Sequence, residues 1–159
     1  MIVKDIMISP VITGNMDSTI GEIYNFFKSK QIHHLPIVHD NHLVGLVSDS
    51  DIVTALSPYW GTAAEQTRDI DTANRLAHQI MTRNPVCIHA NEKIEAAANK
   101  ILQKDVSCLP VLDETDCLCG ILSWKDIIKH FIKDHQNDTQ NPLSLIDVKE
   151  TDNDPGQSQ

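Results

Sequence analysis

The sequence lacks the long apolar runs and the basic runs that indicate a membrane span or a nucleic-acid surface. No stretch approaches the roughly 18 consecutive apolar residues of a transmembrane helix. The first residues, MIVKDIM, also lack the apolar core of a signal peptide. The 159 residues include 13 Lys and Arg against 22 Asp and Glu, which gives a net charge of −9. We therefore expect a cytoplasmic protein with neither nucleic acid nor membrane as a partner.

Cysteine is sparse, and its placement does not indicate redox or metal chemistry. The four cysteines lie mostly in apolar, strand-like stretches, where reduced cysteine serves as a small hydrophobic residue: Cys87, Cys108, Cys117 and Cys119. Cys117 and Cys119 are separated by one residue, whereas a metal knuckle or redox pair has two. Histidines cluster at 33–42, but His33 and His34 would point to opposite faces of a strand. We expect no metal site.

Catalytic constellations are missing as well. No nucleophile stands beside an evident base, and no two carboxylates are evident in distinct surroundings. Ser48 and Ser123 lack the G-x-S-x-G context of a hydrolase nucleophile. The sequence therefore predicts a non-catalytic protein that requires no cofactor.

One pattern, however, occurs twice, about half a chain apart. The first copy consists of IMISPVI (6–12), IHHLPIV (32–38) and GLVSDSDI (45–52). The second copy consists of IMTRNPVCI (80–88), VSCLPVL (106–112) and GILSWKDI (120–127). Each copy spans only about 55 residues, a size at which a lone core is marginal. We expect the copies to pack together with pseudo-twofold symmetry and to place a functional cleft at their junction.

Apolar periodicity predicts the same elements in both copies. A helix over 18–30, behind a Ser18 cap, matches one over 92–104. The predicted strand pairs and second helices are 35–38 with 43–47, 109–112 with 118–122, and helices near 49–56 and 124–133. Each repeat thus reads strand, helix, strand, strand, helix, an α/β (α+β) fold packed sheet to sheet.

These elements divide the chain into four regions. The first repeat covers 1–56, a partly helical linker 57–78, and the second repeat 79–133. Residues 134–159 are polar and acidic, and we expect a disordered tail. Its one apolar segment, LSLIDV (143–148), either stays flexible with the tail or docks on the body or a partner.

The motif G-h-h-S-x-x-D, where h is apolar, has two interpretations. Ser48 with Asp51, and Ser123 with Asp126, have the spacing of a capping box, which satisfies free N–H groups at a helix start. The same geometry suits a nucleotide, because a helix start offers donors to phosphate and a carboxylate can accept both ribose hydroxyls. Capping alone would keep the motif in both copies, but two copies in matching context are far stronger evidence for ligand binding than one.

Together the repeated motifs I-M-x-x-P-V, h-x-x-L-P-V and G-h-h-S-x-x-D-I resemble a tandem CBS-domain module (cystathionine beta-synthase domain pair, or Bateman module). The resemblance covers residues 1 to about 133 and is similar to the CBS part of small bacterial acetoin-utilisation proteins. It implies a regulatory homodimer that binds an adenosine-containing ligand between its repeats. The candidates are AMP, ADP, ATP, S-adenosylmethionine, NAD and cyclic di-AMP. Without a fused enzyme, the module would signal to a protein partner in trans.

The resemblance also implies roles for particular residues. Asp51 and Asp126 would hold ribose hydroxyls, and Ser48 and Ser123 would approach the phosphate or ribose. The residues implied to line the adenine and phosphate region are His33, His34, Leu35, Pro36, Ser107, Cys108, Leu109 and Pro110. Backbone and methyl contacts to the base would come from the strand residues near Thr13 and Ile88.

The copies differ where a basic residue often precedes the motif aspartate in this family. The first copy has Asp49 and Ser50 there, and Asp49 would repel a polyphosphate. The second has Trp124 and Lys125, an aromatic surface and a cation. We therefore expect two unequal sites, with nucleotides favouring Asp126 and a less charged adenosyl ligand, or none, at Asp51. A structural or interaction module with no functional nucleotide site is the alternative.

Overall fold

The computed structural model describes residues 1–138, with side chains described to Asp134. The predicted tail segment 143–148 lies outside the described residues. The elements, in chain order, are α1 (Ile20–Lys30), β1 (His34–His39), β2 (His42–Ser48), α2 (Asp49–Ala55), α3 (Thr67–Ala73), α4 (Ala77–Ile80), β3 (Thr82–Arg83), β4 (Ile88–His89), α5 (Ile94–Lys104), β5 (Cys108–Leu112), β6 (Leu118–Ser123) and α6 (Trp124–Asp138). The α/β class is confirmed.

Two three-stranded sheets form the centre of the fold, ordered β1-β2-β3 and β4-β5-β6. The antiparallel pair β1–β2 and its counterpart β5–β6 match the predicted strand pairs. Asp40 and Asn41 both have positive φ, which suits the tight two-residue turn between β1 and β2. Two separate apolar cores lie against these sheets, one centred on Ile20, Ile37 and Val47, the other on Ile94, Leu109 and Leu122.

Each repeat lends its first segment to the other repeat. The amides of Val3 and Lys4 donate to the carbonyls of Glu92 and Ala90, both at 2.9 Å. At the equivalent positions, 74 residues on, the amides of Ala77 and His78 donate to the carbonyls of Ser18 (2.8 Å) and Met16 (3.1 Å). We call residues 3–8 and 77–83 the exchanged segments. Because each completes the other repeat's core, neither repeat is an independent unit.

The exchanged segments end on the edges of the opposite sheets. Ile8 forms a bridge with Ile121 of β6, and Thr82 of β3 pairs with Leu46 of β2. Just inside them, the side chains of Met7 and Met81 occupy the space where Gly120 and Gly45 would carry a Cβ. These glycines are required by the close approach of a methionine from the other repeat. The motifs I-M and G-h-h are therefore partners across the pseudo-twofold.

Three predicted elements differ in detail. Thr19 rather than Ser18 caps α1, since Thr19 Oγ1 accepts from the Glu22 amide at 3.2 Å and the Glu22 carboxylate accepts from the Thr19 amide at 2.8 Å. The strand predicted near Thr13 is reduced to one parallel bridge between Gly14 and Ile37, because glycine and the following asparagine weaken a strand. Helix α6 continues to Asp138, five residues past the predicted end at 133.

Residues 57–78 include α3, and a buried carboxylate holds this part of the chain in place. Asp69, at the start of α3, accepts hydrogen bonds from Ser57 Oγ (2.7 Å) and the Gln66 amide (2.8 Å). These two donors lower the pKa of Asp69. Trp60 packs edge-on against Tyr24 of α1 with ring centroids 5.6 Å apart, so this linker aromatic covers the first repeat's helix.

Candidate functional site

Both copies of G-h-h-S-x-x-D place a serine at the end of a strand and an aspartate in the first turn of a helix. The Asp51 carboxylate accepts from the Ser48 amide at 2.8 Å, and Ser48 Oγ accepts from the Asp51 amide at 3.2 Å. The Asp126 carboxylate accepts from the Ser123 amide at 2.9 Å, and Ser123 Oγ also donates to it at 2.5 Å. The capping-box interpretation is therefore correct for both copies. Each carboxylate is only partly buried and retains acceptor capacity for a ligand.

A cleft of about 270 Å³ opens beside Asp51 and is lined by both repeats. The first repeat contributes His34, Leu46, Ser48 and Asp51. From the second repeat come the exchanged segment, the following turn and the start of β5: Thr82, Asn84, Pro85, Val86, Asp105, Val106, Ser107 and Cys108. Apolar walls with a few convergent polar groups are typical of small-molecule sites, whose volumes begin at about 300 Å³.

Charge in this cleft is negative. Asp51 and Asp105 line it, and none of its lining residues is lysine or arginine. A carboxylate can bind ribose hydroxyls, but two carboxylates without a cation disfavour a polyphosphate. The lining therefore suits an uncharged or cationic ligand better than a polyphosphate.

The two h-x-x-L-P-V segments meet across the pseudo-twofold. His34 Nε2 and Ser107 Oγ lie 2.8 Å apart, a direct hydrogen bond between the repeats. Burial lowers the pKa of His34, partly opposed by Asp49 and assisted by His33. His34 is therefore neutral at pH 7 and acts as a hydrogen-bonding group, without the positive charge that would attract phosphate.

The residues between Ser and Asp of each motif are arranged differently. In the first copy, Asp49 is paired with His33, with Oδ2 and Nδ1 2.9 Å apart on the surface. In the second copy, Lys125 Nζ lies 5.8 Å from the centroid of the Trp124 ring. Lys125 also lies near enough to His34 to contribute to lowering its pKa. The cation of the second copy thus adjoins the inter-repeat junction.

Several residues that the resemblance implies as ligand contacts have buried side chains. Leu35, Pro36, Leu109 and Pro110 are almost fully buried, and the two leucines belong to the two cores. Ile88 is 1% exposed, so its side chain cannot offer the expected methyl contact, and only its backbone remains available. Cys108 lines the cleft, and burial raises the pKa of its thiol to about 12, which keeps it protonated. Thr13 is exposed and is not among the residues lining the Asp51 cleft.

Other cleft residues could not be found from the motifs alone. Thr82, Asn84 and Val86 reach the cleft because their segment is exchanged between the repeats. Asn84 and Val86 belong to the N-P-V part of the repeated pattern. This pattern is the one sequence feature that could have indicated them. Asp105 reaches the cleft at the left-handed end of α5, where its φ is 52°.

A second, larger cavity of about 500 Å³ lies between the N-terminal segment and the β5–β6 turn. Its lining includes Lys4, His89 and Glu114 but none of the predicted site residues. The Asp51 cleft is the better candidate, because both repeats and the repeated motif converge there. Among the described residues 1–134, no three His, Cys, Asp or Glu side chains are placed to hold a metal ion. No helix within residues 1–138 is long and apolar enough to cross a membrane.

Comparison with known families agrees with this geometry, since the model of the CBS domain matches residues 3–58 and 77–133. The chain belongs to the CBS domain family. The two matches correspond to the two repeats with their first segments, so the protein is a CBS pair. The matched regions include both G-h-h-S-x-x-D motifs and both exchanged segments.

Relatives of this CBS pair include larger enzymes and solved CBS pairs. It is 35% identical over 126 residues to a homoserine O-acetyltransferase of Methanohalobium evestigatum, covering 79% of this chain and 23% of that one. The chain thus spans about a quarter of that relative's length. The solved CBS pair of protein MJ0100, in complex with 5′-methylthioadenosine and S-adenosylmethionine, has a TM-score of 0.70 at 29% identity, covering 84% and 98% of the two chains. A protein assigned to acetoin utilization (AcuB) from Vibrio cholerae shares the fold, with a TM-score of 0.72, 20% identity and coverage of 88% and 96%.

Proposed function

We propose that this CBS pair is a non-catalytic regulatory module that binds an adenosine-containing ligand between its repeats. The observation that carries the proposal is the Asp51 cleft, where one repeat's Ser48 and Asp51 face the other repeat's Asn84 and Ser107. Asp51 accepts the ribose hydroxyls, and the apolar walls at Leu46, Pro85 and Val86 enclose the base. The ligand bound to the MJ0100 pair supports an adenosyl group.

The two sites differ in the charge that they accept. The Asp51 cleft, lined by carboxylates, takes a ligand with an uncharged or cationic substituent, such as 5′-methylthioadenosine or S-adenosylmethionine. From the pseudo-twofold we infer a second site around Asp126, where Lys125 adds a cation. This second site takes AMP or another adenine nucleotide.

Regulation follows from the position of the cleft. A ligand that contacts both repeats changes their relative packing, provided that it binds one arrangement more tightly than the other. We infer that the module acts as a cytoplasmic homodimer and signals to a separate protein partner. The exchanged segments join the two repeats tightly, so a change at one cleft is transmitted to the whole pair.

A structural or interaction module without nucleotide binding is the second candidate. It is favoured by the capping boxes, since Ser48 and Asp51 already have a structural role without any ligand. Under this alternative, the same motif persists only because it starts α2 and α6.

Calorimetry and thermal shift separate the two functions. AMP, ADP, ATP, S-adenosylmethionine, 5′-methylthioadenosine, NAD and cyclic di-AMP are titrated into the full chain. Saturable binding with a Kd below about 1 mM, and a matching rise in Tm, is expected for at least one adenosyl ligand. If none binds below that limit, the interaction module is the correct function. Adenine-free ribose 5-phosphate is the control ligand.

A further inference from the structure

A cavity of about 500 Å³ lies between the exchanged segment 3–8, the turn after β4 and the β5–β6 turn, and it shares no lining residue with the cleft proposed for the adenosyl ligand. Side-chain hydrogen bonds tie these segments together around it. Ser9 Oγ donates to the Cys119 carbonyl at 2.9 Å, and Asn91 Nδ2 donates to Glu114 Oε1 at 3.0 Å. Small-molecule sites have volumes of roughly 300–1,000 Å³. The cavity is therefore large enough for a ligand separate from the adenosyl group.

The β5–β6 turn contributes two carboxylates to the lining of this cavity, those of Asp113 and Glu114. Asp113 Oδ1 accepts from the Thr115 hydroxyl (2.7 Å), the Thr115 amide (2.8 Å) and the Cys117 amide (3.0 Å). These donors lower the pKa of Asp113, so this carboxylate is ionised at pH 7. Within residues 1–134, no hydrogen bond is made to its other oxygen, Oδ2, or to Oε2 of Glu114. One oxygen of each carboxylate is therefore available to a positively charged group of a ligand.

Lys4, from the exchanged segment, adds a cation to the same lining. Its side chain is exposed, and within residues 1–134 its Nζ forms no ion pair and no hydrogen bond. The equivalent residue of the other exchanged segment, His78, is engaged: its Nδ1 lies 3.0 Å from the Met16 carbonyl oxygen and 3.8 Å from the Asp17 carboxylate. The available cation of this cavity therefore has no counterpart at the equivalent position across the pseudo-twofold.

An apolar wall completes the cavity. Met7, Leu112 and Cys119 contribute to it. Burial raises the pKa of the Cys119 thiol, Asp113 adds to this rise and Lys4 opposes it. The carboxylate and the ammonium therefore both act on the same thiol, which means that both charges adjoin one apolar wall.

These groups disfavour a ligand that carries only one sign of charge. An anion would gain Lys4 but would be repelled by the carboxylates of Asp113 and Glu114. A bare metal ion would lack ligands, since no three His, Cys, Asp or Glu side chains within residues 1–134 are placed to hold one. We propose that the cavity binds an α-amino acid with an apolar side chain, whose carboxylate pairs with Lys4 and whose ammonium pairs with Asp113 and Glu114. The side chain of the amino acid packs against Met7 and Leu112.

Calorimetry with the full chain tests the proposal, using L-leucine, L-methionine and L-phenylalanine as probes. At least one of them should bind saturably with a Kd below about 1 mM. Lys4→Met and Glu114→Gln should each weaken that binding about tenfold, because each removes one charge-assisted hydrogen bond at a partly exposed site. Glutamine can still accept from Asn91, which preserves the bond to the turn. Lys30→Met, at the exposed end of α1, is the matched control and should leave the Kd unchanged.

Analogues of the bound amino acid test each charge in the unsubstituted protein, so the result does not depend on how a variant folds. For leucine, the analogues are L-leucinamide, which lacks the carboxylate, and N-acetyl-L-leucine, which lacks the ammonium. Both should bind at least tenfold more weakly than leucine. Lys4→Met should weaken leucinamide no further, since the amide has no carboxylate to lose.

Four results would overturn the proposal. They are the absence of binding below about 1 mM for all three amino acids, analogues that bind as tightly as the parent, and a Kd that neither Lys4→Met nor Glu114→Gln changes. The fourth is inorganic phosphate that binds as tightly as the amino acid, which would make the cavity an anion site.

Discussion

The two copies of the G-h-h-S-x-x-D motif form the same backbone hydrogen bonds but carry side chains of opposite charge. Each serine and aspartate form one capping box, and equivalent backbone bonds join Asp49 N to His33 O (3.0 Å) and Trp124 N to Ser107 O (3.2 Å). Between serine and aspartate, however, one copy carries a carboxylate paired with histidine and the other carries a cation on an indole. Helix capping constrains the ends of the motif but not the two residues between them, and we propose that these residues set the charge of the ligand each site accepts.

The largest difference between the copies should appear on replacing each motif aspartate. Asp126→Asn should weaken AMP binding about 100-fold, because two charge-assisted hydrogen bonds to ribose are lost, while Asp51→Asn should change it less than threefold. For 5′-methylthioadenosine the order should reverse. Calorimetry measures both ligands on both variants.

Asparagine is chosen because its side-chain oxygen can still accept from the serine amide and preserve the cap. Equal Tm values of the two ligand-free variants provide the control. If both variants lose both ligands equally, the copies do not differ in ligand charge, and the proposed pairing of sites with ligands is wrong.

The next largest effect concerns the exchanged segments. The three atoms nearest a Cβ at Gly45 all belong to the Met81 side chain, whereas at Gly120 they include the Met7 side chain and the Ile8 carbonyl, the latter at 3.2 Å. Each Gly→Ala change should lower the free energy of unfolding by about 1–3 kcal/mol through overpacking, with Gly120→Ala the larger. Urea denaturation measures both.

A double-mutant cycle separates side-chain from backbone crowding at these glycines. In a Met81→Ala background Gly45→Ala should lose most of its cost, since the Met81 Sδ and Cγ are gone and the Cβ that remains lies 3.2 Å away. In a Met7→Ala background Gly120→Ala should retain part of its cost, because the Ile8 carbonyl remains. Full rescue at both positions would mean that the two exchanged segments are held equally loosely.

These expectations show which parts of the molecule were predictable from sequence. Strand pairs such as 109–112 with 118–122 could be predicted, because apolar runs indicate strands and turn residues indicate where they end, both within a few residues of sequence. The exchange of segments 3–8 and 77–83 was not, because nothing local indicates which sheet edge a short segment joins. For the same reason Asn84 was missed in the cleft, whereas Asp105 was missed because it enters the cleft from the left-handed end of α5, outside the repeated motifs. Leu35 and Leu109, implied as ligand contacts by their place in the motif, have buried side chains.

Removing the charged residue between serine and aspartate in the first copy should have a smaller effect on ligand affinity. Asp49→Ala should raise the affinity of the Asp51 cleft for AMP about three- to tenfold, because a nearby negative charge worth roughly 1 kcal/mol at a partly exposed site is removed. Calorimetry at low salt measures the change in Asp126→Asn protein, in which AMP binding at the second site is weakened. Asp40→Ala is the matched control, since Asp40 also lies beside a histidine, His39, but in the β1–β2 turn. An equal gain in this control would attribute the effect to net charge alone.

The smallest expected difference between the copies is in their pH dependence, at the equivalent positions His34 and Cys108. Burial lowers the pKa of His34 below the 6.5 of the unfolded chain, so the unfolded chain binds more protons near that pH. Stability should therefore fall as pH drops through 6.5 towards the folded pKa and should level off below it. Cys108, with a pKa of about 12, contributes nothing in this range. His34→Gln should remove part of the loss of unfolding free energy measured in urea between about pH 7.5 and pH 5.5, whereas His39→Gln, at an exposed site, should not. Because His34 hydrogen-bonds Ser107 of the other repeat, a pH profile unaltered by His34→Gln would mean that the junction opens and re-solvates this histidine before it is protonated.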